Sequence, residues 1–195
     1  MNTNTKNGDK LIYFVRHAES DANVNPNARS LNPLTENGLQ QAQTVAKRFK
    51  HIRIEKLIQT SKMRSRQTAE AISTVLNIQA EENDLFIERA GEFEAMFEHR
   101  HLPNAELTEA MKKKLNKEHW DYSKQELFED LLGRVKKAAE YLESVPEERI
   151  AVVTHGAFLK VFIAYIMFKD ALTEELAVTF MDHIASSNTG ITLCK

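Results

Sequence analysis

The chain has a single cysteine, Cys194, among 195 residues, so no intramolecular disulfide can brace it. That thiol lies one residue from the end, in a final strand pattern, and fits a reducing compartment without requiring one. No apolar run approaches the roughly 20 residues that span a bilayer. The longest, Ala157–Phe168, is interrupted by Lys160 and reads as a helix packed inside the protein. The opening MNTNTKNGDK is polar and lacks the apolar centre of a secretory leader, so a cytoplasmic location is expected. Neither sign of charge dominates: 26 basic residues against 28 acidic ones give −2. That balance excludes a global field for nucleic acid or membrane lipid, and any basic cluster must act locally. Repeats and low-complexity segments are missing too. So are the G-x-x-x-x-G-K-[ST] and G-x-G-x-x-G loops that cradle nucleotides. No close-spaced ligand set such as H-x-x-x-H occurs; His99 and His101 alternate in a polar segment and read as exposed, so neither a metal nor a cofactor is expected.

What is present centres on Leu11–Asn23, reading LIYFVRHAESDAN. Leu11–Val15 has the length and the β-branched, aromatic character of a buried strand, and the change to charge at Arg16 marks its C-terminal end. In open α/β sheets ligands bind at that end. A guanidinium there offers a fixed fork of donors to an anion, and the adjacent imidazole of His17 can act as nucleophile or proton carrier. A second apolar run, Arg149–His155, also ends in a histidine, with Gly156 leading into a helical pattern. Two strands that each deliver a histidine to one sheet edge can bring both imidazoles to one pocket.

The remaining pattern alternates strands with helices. Asn-rich Asp21–Leu34, with Pro26 and Pro33, reads as loop. Thr35 caps a helix with Leu39, Ala42, Val45, Ala46 and Phe49 near a 3.6 period. Lys56–Thr60 is a strand, Lys62–Leu76 a helix that Thr60 or Ser61 could cap, and Ile78–Ala80 a possible third strand. Asn83–Tyr122 is charged and irregular and reads as a cap of one or two short helices. Ser123 with Glu126 forms a capping box ahead of a helix bearing Leu127, Leu131, Val135, Ala138, Ala139 and Leu142. Strand Ile150–Thr154, a helix from Ala157, a short helix capped by Thr173 and strand Gly190–Leu193 follow. This order predicts an α/β fold with a mostly parallel sheet and helices on both faces. At roughly 100–200 residues per domain, 195 residues make a single domain, 1–195, with a cap segment at about 83–122.

RHAES with Asn23 resembles the signature of the histidine phosphatase superfamily, which includes cofactor-dependent phosphoglycerate mutases, acid phosphatases and small broad-range phosphatases. The likeness continues in that family's order through NPLTENGLQQA (Asn32–Ala42), TSKMRSRQTAEA (Thr60–Ala71), VVTHGAF (Val152–Phe158) and SNTGIT (Ser187–Thr192). It implies a three-layer α/β/α sandwich of phosphoglycerate mutase-like type, with a small helical cap over the C-terminal edge of the sheet. It also implies roles. His17 is the nucleophile and becomes a phosphohistidine; Arg16, Asn23, Arg64, His155 and Gly156 bind the phosphoryl group, His155 by donating a hydrogen bond. Arg66 competes with Arg64, but lies about 200° away around a helix. Glu19 and Ser20 match as well and are as readily placed at the surface or behind the site. Ala18 stands where glycine is common in the family, so this turn does not demand a positive φ.

The acid is the least direct correspondence. The family's stretch resembles E-R-x-F-G-E-x-E-G, whereas Glu88–Ala95 is one residue shorter before Gly91. Glu88 fits with a deletion just after it, and Glu92 and Glu94 are the reserves. The resemblance implies a metal-independent phosphatase for small phosphomonoesters. Two alternatives stand beside it: a phosphoglycerate mutase-type enzyme, disfavoured by the short cap, and a phosphate-binding relative without turnover. The expected partner is a small phosphorylated substrate, with no nucleic acid and no membrane. Arg100 or Lys112–Lys114 could meet a second anionic group if the cap folds over the pocket.

Overall fold

The computed structural model describes residues 10–25, 32–89 and 126–195. Five strands form one sheet: β1 (Leu11–Arg16), β2 (Lys56–Gln59), β3 (Ala80–Glu82), β4 (Arg149–Thr154) and β5 (Ile191–Cys194), in the order β3-β2-β4-β1-β5. β1, β2, β3 and β4 run parallel, while β5 is antiparallel to β1. Described helices are the one-turn α1 (Asp21–Val24), α2 (Glu36–Phe49), α3 (Met63–Leu76), α4 (Phe128–Ser144), α5 (Gly156–Phe168) and α6 (Glu174–His183). None of these helices is long and apolar enough to cross a membrane.

The two-residue period of the strands sorts the core into two layers. Phe14, Ile58, Ile150 and Val152 face α4, α5 and α6, where they pack with Leu131, Val135, Phe158, Phe162 and Met181. Their sequence neighbours Val15, Leu57, Ala151 and Val153 face α2 and α3 and meet Val45, Phe49, Ala69 and Ile72. Wholly apolar strands are thus what burial on both faces requires. This is the three-layer α/β/α sandwich, and its four parallel strands end together at one edge.

Several elements differ from expectation in detail. Leu39 is exposed, because α2 turns its Gly38 side, not Leu39, toward the chain after β1. There a Cβ on residue 38 would collide with the Glu19 carbonyl, so glycine alone allows that approach. Thr35 does cap α2, accepting from Gly38 N at 2.9 Å, and Thr173 accepts from Leu176 N at the start of α6. Neither Thr60 nor Ser61 caps α3; its N-cap is Lys62, which makes no side-chain cap bond. β3 begins at Ala80, since Asn77 at φ 54° closes α3 in the left-handed region. Helix α4 opens at Phe128, with Leu127 exposed and Glu126 ahead of the helix in an ion pair with Arg134. At the start of the expected cap segment, Phe86 is fully buried in the core. The remainder of the expected cap, with Glu92, Glu94, His99, Arg100, His101, Lys112–Lys114 and the capping-box Ser123, lies outside the described residues.

Candidate active site

The register of the central strands builds the site. β1 and β4 pair with Arg16 opposite Thr154, so His17 and His155 stand side by side, one residue beyond the strands. His17 N continues the ladder to Thr154 O at 2.9 Å. The two imidazole centroids are 5.2 Å apart. β2 lies on the other side of β4 and brings Thr60 to His155, whose Nε2 is 2.9 Å from the threonine hydroxyl.

His17 is held from both ring nitrogens. Arg64 Nε donates to His17 Nε2 at 3.0 Å. A guanidinium can only donate, so Nε2 carries the lone pair and Nδ1 the proton. That proton goes to the Ala18 carbonyl, 2.7 Å away. The tautomer set by these bonds makes Nε2 the unprotonated nitrogen, its lone pair turned to a cation. Arg64 is buried in the first turn of α3. Arg66, two residues on, points away and pairs with Glu82 at the surface. Gln67 and Thr68 on the same helix brace the loop after β1: Gln67 Oε1 accepts from Leu34 N at 2.7 Å, and Thr68 Oγ1 accepts from Ala18 N at 3.0 Å.

Arg16 donates through Nη1 to the Ser186 carbonyl at 2.5 Å. Its guanidinium lies against Gly156, where an added Cβ would sit 3.4 Å from Nε. That is an ordinary van der Waals distance, so a methyl group at position 156 would fit against Arg16. Asn23 turns its carbonyl oxygen to Ser20 N, 2.9 Å away, and to Asn188 Nδ2, 3.2 Å away. Glu19 lies outside the pocket and clasps α2, accepting from Thr35 Oγ1 at 2.7 Å and Asn37 Nδ2 at 3.0 Å. Glu88 is buried; its carboxylate accepts from Phe158 N at 2.9 Å and Ala157 N at 3.2 Å, which places it on the N terminus of α5 next to His155.

Three further residues complete the arrangement. Asn188 donates to His17 O at 2.9 Å as well as to Asn23, joining the β5 approach to the β1 loop. Thr189 beside it has φ 56°, costly for a β-branched residue, and its amide bonds Arg16 O at 2.9 Å. Thr60 orients His155. Asn188 and Thr189 stand in the SNTG stretch before β5 and Thr60 at the end of β2; polar residues at strand margins next to Arg16 and His155 were the available signal.

Burial, then the Arg64 and Arg16 charges, push the His17 imidazole well below its ordinary value of 6.5. Burial, then Arg64, His17, Lys62 and Arg16, do the same to His155. Both are neutral near pH 7. The Nδ1 atom of His155 is buried and has no hydrogen-bond partner among the described residues, a costly state that a bound polar group would relieve. The unfolded chain takes up protons at these positions near pH 6.5, whereas the folded one does so only at lower pH. Their contribution to stability is therefore full above that value and declines as pH falls below it toward the folded values. The unfolding temperature, followed by circular dichroism, is expected to drop on the acid side of 6.5. It should drop less in the His17→Asn, His155→Asn double variant, and identical profiles would contradict the assignment.

Fold and site together define an α/β protein with paired neutral imidazoles and two arginines at the C-terminal edge of its sheet, suited to a tetrahedral oxyanion. The chain belongs to the histidine phosphatase superfamily (branch 1), whose model matches residues 12–193. The curated "Probable phosphoglycerate mutase GpmB" of Escherichia coli O139:H28 is 30% identical over 170 residues, covering 84% of this chain and 77% of that protein. Among solved structures, the alpha-ribazole phosphatase of Shigella flexneri superimposes with a TM-score of 0.68 at 20% identity, covering 94% of this chain and 89% of that one. Bacillus stearothermophilus YhfR does so with a TM-score of 0.69 at 22% identity and the same coverage. At these identities the structures speak to the fold. Superfamily membership makes this chain a relative of phosphatases and mutases, enzymes of phosphoryl transfer.

Proposed function

We propose that the protein is a phosphatase that hydrolyses small phosphomonoesters through a phosphohistidine at His17. The observation that carries this reading is the Arg64 Nε to His17 Nε2 hydrogen bond of 3.0 Å, which presents the nucleophile's lone pair beside a cation. As the phosphoryl group enters, Arg64 Nε gives up its hydrogen bond to Nε2; the freed Nε2 pair attacks phosphorus, the ester P–O bond breaks, and its electrons leave on the alcohol oxygen. Glu88 is the group that protonates that oxygen. Water then attacks phosphorus, giving its proton to Glu88, and the P–N electrons return to Nε2. Arg16 and Arg64 neutralise the equatorial oxygens, work that phosphoryl transfer requires of any site. His155 Nδ1 and the Asn23 amide nitrogen are the neutral donors.

A second reading, phosphoryl return to the substrate, is favoured by the 30% identity to a protein named as a probable mutase. The short insertion between β3 and α4 supports hydrolysis, since a mutase must shield its bisphosphorylated intermediate from water. The test is phosphate release from a panel of phosphorylated metabolites, with EDTA present, alongside conversion of 3- to 2-phosphoglycerate. Release without conversion is expected; conversion without release would establish the mutase.

Glu88→Gln should slow alkyl phosphates by roughly a hundredfold or more while slowing p-nitrophenyl phosphate far less, because a good leaving group needs no proton. Steady-state rates on both esters check this, and equal slowing would remove Glu88 from the role.

A further inference from the structure

The segment Ile87–Arg89 that carries Glu88 belongs to no helix or strand, so its position depends on what its backbone bonds to. Arg134 of α4 supplies much of that. Its Nη1 donates to Leu85 O at 3.1 Å and to Ile87 O at 2.6 Å. Between them, Phe86 O accepts from Thr154 Oγ1 at 2.6 Å, so three consecutive carbonyls ahead of Glu88 are held by side chains. The other edge of the guanidinium forms a two-pronged pair with Glu126, Nε to Oε1 at 2.8 Å and Nη2 to Oε2 at 2.7 Å. Glu126 reaches the far side of Glu88, its carbonyl accepting from Arg89 Nε at 3.1 Å. The Arg134 guanidinium also lies 5.2 Å over the Phe158 ring, and the Phe158 amide is one of the donors that fix the Glu88 carboxylate.

We propose that Arg134 is a positioning residue for Glu88: with Glu126 it clamps the chain on both sides of the carboxylate and sets where the acid stands relative to His155. Arg134 does not touch the substrate and acts through Glu88 alone. The proposal rests on the reading of Glu88 as the acid. Only a planar fork can grip a carboxylate with two nitrogens while the third bonds two carbonyls, so lysine is no substitute. Displacement of a reacting group by about 1 Å costs on the order of a hundredfold.

The test is a double-mutant cycle read on two esters, an alkyl phosphate and p-nitrophenyl phosphate, in the full chain. Arg134→Ala is expected to lower kcat on the alkyl ester by roughly ten- to a hundredfold. It should lower kcat much less on the aryl ester and leave KM nearly unchanged. In a Glu88→Gln background it should remove almost nothing further, as expected of two residues acting as one unit. Equal losses on the two esters, a loss confined to KM, or losses that multiply with Glu88→Gln would overturn the proposal. If Arg134→Ala does not fold, Arg134→Lys, which keeps charge and bulk and breaks the fork, is read by the same criteria. Should Glu88→Gln itself fail to discriminate between the esters, the acid assignment falls; discrimination there without it in the Arg134 variants overturns the positioning role alone.

Discussion

His17→Ala is expected to abolish phosphate release, lowering kcat by about a thousandfold or more on every ester tested. The imidazole is fully buried at the end of β1, held by Arg64 on one nitrogen and the Ala18 carbonyl on the other. Among the described residues His155 is the nearest imidazole, and its Nε2 is engaged with Thr60. The loss should fall on turnover and not on binding, because Arg16, Arg64 and His155 remain to hold a phosphate-like anion. Phosphate or vanadate should therefore still protect the variant against thermal unfolding. Retained turnover in a folded variant would remove His17 from the nucleophile's place. Loss of anion protection together with turnover would assign it a binding role instead.

Arg64→Ala should cost roughly a thousandfold in kcat/KM, on the scale of other arginines that neutralise a transferring phosphoryl group. Two effects combine. The variant loses a fixed positive charge at the oxygens, and it loses the donor that sets the His17 tautomer. Arg64→Lys restores the first but not the second, since an ammonium lacks the planar fork, and should recover only a small part of the activity. A separate signature follows from the electrostatics. Arg64 is among the causes that hold both imidazoles below their ordinary value, so its removal should move the acid limb of the pH–rate profile upward. An unmoved limb with reduced activity would point to altered packing around α3 and not to the charge.

Much of the fold was legible because apolar content answers directly to burial. Runs such as Phe14–Val15 and Ile150–Val153 are buried on both faces, and only a sheet covered on both sides accepts them. Arg16, His17 and His155 were legible at the sheet's edge for a related reason, a charge or a histidine following directly on an apolar strand, whereas Arg64 was singled out through the family resemblance of Thr60–Ala71. Leu39 was misplaced because its spacing fits the buried face of α2 while the contact is made by Gly38, whose small size and not its hydropathy is what matters. The start of α4 shifted because Glu126, which reads as half of a capping box, is taken by Arg134 eight residues on. The roles of Thr60, Asn188 and Arg134 were not legible since each acts through a contact far away in sequence, to His155, His17 and Ile87, and short polar or charged side chains carry no periodic pattern that would announce such a contact.

The central claim is that His17 Nε2 becomes covalently bonded to phosphorus during turnover. Rapid mixing with a phosphomonoester, quenching in alkali and peptide mass mapping tests it most directly, because a phosphoramidate survives base and is lost in acid. One phosphoryl group on the peptide containing His17, absent after acid treatment and absent in His17→Ala, is the predicted result. Steady phosphate release with no modified histidine, or with the label on another residue, would contradict the account.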